Sequence, residues 1–313
     1  GNYGRVLQYL MEALDINVRL KDDDSIAGDL NNIGAIFRNR GELSGKKNEF
    51  QNSLEYYLKS LNISKRKQNA KLEIETLNNI GLVYATLGDL VSSLKYFQFA
   101  KNKASLINDI YELGNICINT GNVHLRLGDF EDAKQYYQRG LELSLKSGKN
   151  EILWEGYFGL GQCFEAEQQY ASALTCYKEA INSIDLIRSQ LSLDDYKASF
   201  ARDKLKVFES LVHLLFRLKS KESTSGYDEE IFRTVEKAKA RAFLEGLVES
   251  GDSSQESWPA ELKGERDEIS RKITGAITAL AKPGLDGDRR KKMLDSLKNE
   301  EDNYLSLLNK MKS

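Results

Sequence analysis

The sequence predicts an all-α protein, a solenoid of antiparallel helix pairs followed by a C-terminal antiparallel helical hairpin. Three observations carry this. Glycines recur at a fixed interval, the apolar residues around them follow helical spacing, and the 313 residues include only two prolines. Prolines this rare permit long uninterrupted helices.

Four segments align on a glycine: Asn32-Ile33-Gly34, Asn79-Ile80-Gly81, Asn119-Thr120-Gly121 and Gly159-Leu160-Gly161. The first step is 47 residues and the next two are 40 each. Seven residues after each glycine come Gly41, Gly88, Gly128 and, as a departure, Gln168. Each unit then carries an aromatic residue and a small one three further on: Tyr57/Ser60, Phe97/Ala100, Tyr137/Gly140 and Tyr177/Ala180. Ala13 lies 47 residues before Ser60, so the chain is expected to open in the second helix of an earlier repeat.

In the first helix of a unit, Leu77, Ile80, Tyr84 and Leu87 recur at helical spacing. Leu-Gly-Asp at 87–89 and 127–129 ends that helix, because glycine accepts the left-handed turn. A glycine inside a helix costs about 1 kcal/mol of propensity. Its repetition at Gly34, Gly81, Gly121 and Gly161 predicts a helix packed too closely there for a side chain. The seven extra residues of the first full unit lie between Gly41 and Leu54, and are expected at the turn, where a solenoid absorbs insertions.

Composition narrows the function. Lys+Arg (45) nearly balance Asp+Glu (47), leaving a formal charge of −2 and no field to attract nucleic acid or an anionic membrane. The basic run Arg289-Arg290-Lys291-Lys292 has Asp286, Asp288 and Asp295 around it and reads as a solvated helix face. No apolar run approaches the roughly 20 residues of a membrane helix, and no signal peptide opens the chain, so the expected location is cytoplasmic. Three cysteines and two histidines match no zinc pattern, and no cofactor is expected. Cys117 fills the slot of Leu30, Leu77 and Tyr157, and Cys163 that of Ile36, Val83 and Val123. Cys176 matches Tyr56, Tyr96 and Tyr136, and His124 matches Phe37, Tyr84 and Phe164. All four read as packing residues, as does His213 in the apolar stretch 208–218.

The segments LNNIGLVYATLGDLVSSLKYFQFA (77–100) and NTGNVHLRLGDFEDAKQYYQRGLEL (119–143) resemble tetratricopeptide repeats. The resemblance covers about residues 1–188. The 40-residue period and the missing closing proline place it in the long-repeat branch of that family. It implies a right-handed superhelical solenoid whose first helices line a concave, peptide-binding surface. Asn32, Asn79 and Asn119 stand two residues before successive repeat glycines, with Gly159 in the fourth slot. An asparagine amide both donates and accepts, so the row is similar to the asparagine ladder by which several tetratricopeptide proteins hold an extended peptide by its main chain. Asn115, Asn119, Asn122 and Arg126 share one helix stripe. Asn78, Arg38 and Gln162 extend the same polar surface, along with Asn31, Asn39, Glu75, Glu155 and Glu165. A solvated helix face is the plain alternative for any one of these residues.

After Ile187 the repeat glycines stop. Residues 189–249 read as a degenerate pair: a helix over 195–219 capped by Asp194-Asp195, a polar turn at 222–228, and a helix over 229–249. Residues 250–258 read as a Gly/Ser/Asp-rich mobile linker. Residues 259–313 read as an antiparallel hairpin, broken at Lys282-Pro283-Gly284, with Leu294, Leu297, Tyr304, Leu308 and Met311 on one seam.

This order of parts, and the segment AKARAFLEGL (238–247) above all, resembles the helical region preceding the caspase- and separase-like peptidase domain of CHAT proteins. Neither His124-Leu125 nor His213-Leu214 fits that domain's His-Gly, and no cysteine follows Cys176. The peptidase domain is therefore expected to be absent, and the chain to be no enzyme. The expected function is a non-catalytic protein–protein interaction scaffold. The alternative is an oligomerisation or spacer module that self-associates through the C-terminal hairpin.

Overall fold

The computed structural model describes residues 3–190, 202–221 and 226–238, with separate positions between 264 and 307. Two compact units result, Asn2–Leu191 and Ser192–Ser313. The described residues are helices and turns; none lies in a strand.

The described residues of the first unit form nine helices: α1 (Tyr3–Leu20), α2 (Asp23–Ser44), α3 (Lys47–Lys67), α4 (Ala70–Leu87), α5 (Leu90–Leu106), α6 (Ile110–Leu127), α7 (Phe130–Ser147), α8 (Leu153–Ala166) and α9 (Tyr170–Gln190). Short side chains begin several of them. Asp22, Asn69, Asp89 and Asp109 accept hydrogen bonds from the backbone N–H of Ser25, Leu72, Ser92 and Glu112, which satisfies donors the helix leaves open. Each turn closes on one left-handed residue. Gly45, Gly88, Gly128 and Gly148 serve at four turns, and Lys21, Gln68, Asn108 and Gln168 at the others.

Helix pairs α2/α3, α4/α5, α6/α7 and α8/α9 pack as hairpins, and each second helix packs on the next first helix. Successive first helices also touch, α2 on α4, α4 on α6 and α6 on α8, while successive second helices approach one another less. A stack drawn together along one layer curves toward it, which puts the first helices on the inner side.

The repeat glycines are where the pairs lock. A Cβ on Gly34 would meet the Tyr57 ring at 2.8 Å, and one on Gly121 the Tyr137 ring at 2.9 Å. Phe97 and Tyr177 press likewise on Gly81 and Gly161. The four rings are essentially buried, and each such burial stabilises by about 1.5–3 kcal/mol. Beside them, Ser53 and Ser93 donate to the carbonyls of Gly34 and Gly81, both at 2.8 Å.

The insertion in the first unit is not absorbed by the turn. Residues 41–44 continue α2 and residues 47–49 begin α3 early, so both arms of the hairpin lengthen and the turn stays tight. The left-handed residue is Gly45, whose N–H bonds the Gly41 carbonyl at 2.8 Å. Gly41 is a second close-approach position, where a Cβ would lie 2.8 Å from the Phe50 ring. Extending both helices keeps Phe50 buried and satisfies backbone groups that a looser loop would expose.

Cys117 and Cys163 are buried and Cys176 half-buried. His124 stacks on Tyr136 at 5.2 Å, as Phe37 does on Tyr56 and Tyr84 on Tyr96. It is therefore an aromatic of the interhelix stack.

In the second unit, α10 (Arg202–Lys221) buries Val207, Phe208, Leu211, Leu214, Leu215 and Leu218 on one face. His213 is on the opposite, exposed side. The packing role expected for it is thus corrected: the neighbours at helical spacing take the buried face and leave position 213 outside. A further helix runs over 227–238, starting inside the stretch expected as a turn. Lys272 pairs with Glu268 at 3.0 Å and lies 3.8 Å from Glu300. The 250–258 linker, the 194–195 cap, residues 239–249, the 282–284 break and the seam of Leu294, Leu297, Tyr304, Leu308 and Met311 lie outside the described residues.

Candidate functional site: the inner face of the first helices

The polar stripe of the first helices falls in register along α2, α4, α6 and α8, but its members differ in what they touch. Asn32 is exposed and makes no hydrogen bond to a described residue. Asn79 is half-buried: its Oδ1 accepts from Arg38 Nη1 and its Nδ2 donates to Asn31 Oδ1, both at 3.3 Å. Asn119 is 6% exposed and donates to Asn78 Oδ1 at 3.0 Å and to Asn115 Oδ1 at 3.3 Å. Asn31 in turn donates to Glu75 at 2.7 Å and accepts from Thr76 at 3.3 Å. The amides thus bridge neighbouring first helices, α2 to α4 and α4 to α6. Close helix contact buries them, and buried amides need partners.

The fourth slot is glycine for a steric reason. Tyr137, rooted in α7, passes Gly121 of its own pair and continues to Gly159 of the next, where a Cβ would sit 2.6 Å from its hydroxyl oxygen. That hydroxyl donates to Asn122 Oδ1 at 2.7 Å, at the floor of the inner face. Tyr177 does the same in the next unit, donating to Glu165 Oε2 at 2.8 Å. Tyr57 makes no such bond; among the described residues none stands in hydrogen-bond geometry to its buried hydroxyl. Burial pushes the Tyr57 phenol up to about 12, with nearby Arg38 opposing.

Gln162 is half-buried, with no hydrogen bond to a described residue. Arg126 is exposed and reaches across to donate to the Ala85 carbonyl in the last turn of α4, where a cation suits the negative helix end. Arg38 makes only long contacts: Asn79 at 3.3 Å, Asn39 at 3.5 Å and Glu42 at 3.5 Å. Its Nε is buried without a hydrogen bond.

Toward the N-terminal ends of α6 and α8 the inner face is acidic. Burial, Asp109 and Glu75 hold the Glu112 carboxyl above its ordinary value. Burial and then Glu151, Glu112 and Glu155 raise the Tyr111 phenol. Lys149 sits 4.1 Å from the Tyr111 ring centroid, a cation–π contact. No periodicity marks Tyr111, Glu112 or Thr76 as members of this surface, because their slots hold different residue types in each unit. Among the described residues, no group of three or more His, Cys, Asp or Glu is placed to hold a metal ion, and no helix is long and apolar enough to cross a membrane.

Residues 114–184 match the tetratricopeptide repeat family. No curated protein sequence matches the chain. Among solved structures, the fold is similar to BtubC (BKLC) from P. vanneervenii, with a TM-score of 0.57 at 15% identity, over 83% of this chain and 95% of that one. It is similar to a Rap protein complexed with Competence and Sporulation Factor: TM-score 0.53 at 14% identity, over 77% of this chain and 72% of that one. The Rap conjugation gene regulator of the plasmid pLS20, solved with the Phr* peptide, gives a TM-score of 0.50 at 17% identity, over 94% of this chain and 77% of that one. At these identities the likeness establishes the fold, a stack of tetratricopeptide-like helix pairs.

Proposed function

We propose that this chain is a non-catalytic scaffold that binds an extended segment of a protein partner along the inner face of α2, α4, α6 and α8. The observation that carries this is the run of side-chain amides in one register, Asn32, Asn79 and Asn119, continued by Asn115, Asn122 and Gln162. Asn32 and Gln162 are unsaturated, and the bonds of Asn79 are long enough at 3.3 Å to exchange for a ligand's. Asn78, Arg38 and Arg126 flank the row. One structure of similar fold was solved with the Phr* peptide and another with Competence and Sporulation Factor, which supports a peptide-like ligand here.

The resemblance of residues 180–313 to the region upstream of a CHAT peptidase domain supports a further reading, the recognition part of a larger CHAT-type protein in the cytoplasm. Self-association through residues 259–313 is the competing role, and a mass by light scattering that rises with concentration would favour it.

Partner capture from lysate tests the scaffold, comparing wild type with Asn32→Ala/Gln162→Ala. Neither residue ties helices together, so the variant keeps its fold, as circular dichroism would verify. A partner lost by the folded variant supports the inner face; one retained equally removes it. Asn79 and Asn119 are poorer probes, because truncating them also cuts bonds between helices.

A further inference from the structure

The stack repeats one helix–helix interface four times and carries a fifth face of the same kind that stands open. In each hairpin the second helix sets a small residue against its first helix: Ser53, Ser93, Ala133 and Ala173, all wholly buried. Three residues on, Tyr56, Tyr96 and Tyr136 stack on Phe37, Tyr84 and His124 of the first helices, with ring centroids 5.2–5.4 Å apart. The first helix brings its close-contact glycine and, three residues further, that ring: Gly34/Phe37, Gly81/Tyr84, Gly121/His124 and Gly161/Phe164. α1 stands 47 residues before α3 in the same register, with Val6 in the slot of Ser53 and Tyr9 in that of Tyr56. It packs on α2 as α3 packs on α4. Its other face carries Val6, Tyr9, Ala13, Ile16 and Leu20 on one stripe, with no charge among them. Val6 is 42%, Tyr9 66%, Ile16 53% and Leu20 71% exposed. Among the described residues no ring stacks on Tyr9.

We infer that this face of α1 docks an amphipathic helix of a protein partner, one that carries a small residue and, three positions further on, an aromatic. The occupant follows from continuity with the four hairpin interfaces. A helix seated there lies on α1 as α2 lies on α3, its aromatic on Tyr9 and its small residue against Leu10, which takes the slot of Tyr57. Anchors at i, i+3 and i+7 are the pattern by which one helix face takes another. The outer face of a capping helix in a repeat stack is ordinarily polar, whereas this stripe is apolar and forgoes the burial that α3, α5 and α7 gain. A second copy of the chain does not meet the description. Its α2, α4, α6 and α8 are already paired, and two α1 helices set face to face would oppose bulky side chains with only Ala13 between them. The surface is separate from the asparagine row of the inner face.

The chain's own α4 supplies the probe: a fluorescein-labelled peptide of residues 70–87, titrated with the full chain and followed by anisotropy. Wild type should bind it, and Tyr9→Glu/Ile16→Glu should bind it about tenfold or more weakly. Both side chains are exposed, so circular dichroism and the thermal midpoint should not change. Asn32→Ala/Gln162→Ala should bind the peptide as wild type does, which separates this face from the inner one. The ring stack is read by a double-mutant cycle, Tyr9→Ala in the chain against Tyr84→Ala in the peptide. The two together should weaken binding less than the product of the single factors, by about two- to tenfold. No binding to wild type, binding that survives Tyr9→Glu/Ile16→Glu, or single factors that simply multiply would overturn the inference. Loss in Asn32→Ala/Gln162→Ala would overturn it too, by placing the peptide on the inner face. So would a mass by light scattering that doubles for wild type and not for Tyr9→Glu/Ile16→Glu, since a second copy would then occupy α1.

Discussion

The hydroxyl of Tyr137 passes between two successive first helices and ends beside Gly159, where a Cβ would lie 2.6 Å from it. One residue of the second-helix layer thereby decides what the inner face can carry. In the preceding unit the ring is Phe97, which has no hydroxyl, and the slot beyond it holds Asn119. Beyond Tyr57 the same slot holds Asn79, so it is the close lie of the Tyr137 ring, 2.2 Å from a Cβ at Gly159, that breaks the asparagine row there.

Gly159→Asn should therefore destabilise the protein by about 1–3 kcal/mol, the usual cost of overpacking a tight contact. Pairing it with Tyr137→Leu removes the ring carbons that lie 2.2 and 2.5 Å from that Cβ, and the double variant should lose less than the sum of the singles. Urea unfolding of both single variants and the double gives the coupling. Additive losses would mean that the ring does not control the slot.

The same asparagine slot should respond differently along the chain. Asn119→Ala strands the acceptors of Asn78 and Asn115 in a buried contact, at a cost of about 1–3 kcal/mol. Asn32→Ala touches no internal bond and should stay within about 0.5 kcal/mol of wild type. Equal unfolding midpoints for the two would contradict the bridging role of Asn119.

Periodicity made the helix pairs legible, together with the glycine–aromatic lock and the aromatic slot of His124, because each depends on residue type recurring at a fixed interval. The bonding of the asparagines was not legible, since it depends on how closely α4 approaches α2 and α6. The insertion misled for a related reason. Gly41 and Gly45 look alike in sequence, and only the backbone distinguishes a close-contact glycine from one at positive φ. His213 shows the limit of apolar context: six buried neighbours at helical spacing leave its own position outside.

Gln168 holds the left-handed conformation that Gly88 and Gly128 take in the matching turns, at φ 60°. A side chain with a Cβ pays about 1–2 kcal/mol there, while glycine pays more backbone entropy on folding, by about 0.4–1 kcal/mol. Gln168→Gly should therefore raise stability by roughly 0.5–1 kcal/mol, read from the denaturant midpoint at constant slope. A loss would mean that the glutamine side chain contributes contacts worth more than the strain.

Glu112 supplies the pH dependence. Burial, Asp109 and Glu75 raise its carboxyl above the ordinary glutamate value of 4.5, with Asn115 opposing. A raised folded pKa means that the folded state binds the proton more tightly than the unfolded chain. Its contribution is most favourable below 4.5 and is lost as pH rises through the folded value, so the ionised form destabilises near neutrality. Glu112→Gln keeps an oxygen to accept from Asn115 and removes the charge. It should unfold at higher denaturant than wild type at pH 7, and the advantage should shrink steadily as pH is lowered toward and below 4.5. Taking the difference between the two proteins at each pH cancels the titration of the other carboxyls. A difference that is flat with pH, or that grows on acidification, would show that Glu112 is not held against its ionisation by the acidic end of the inner face.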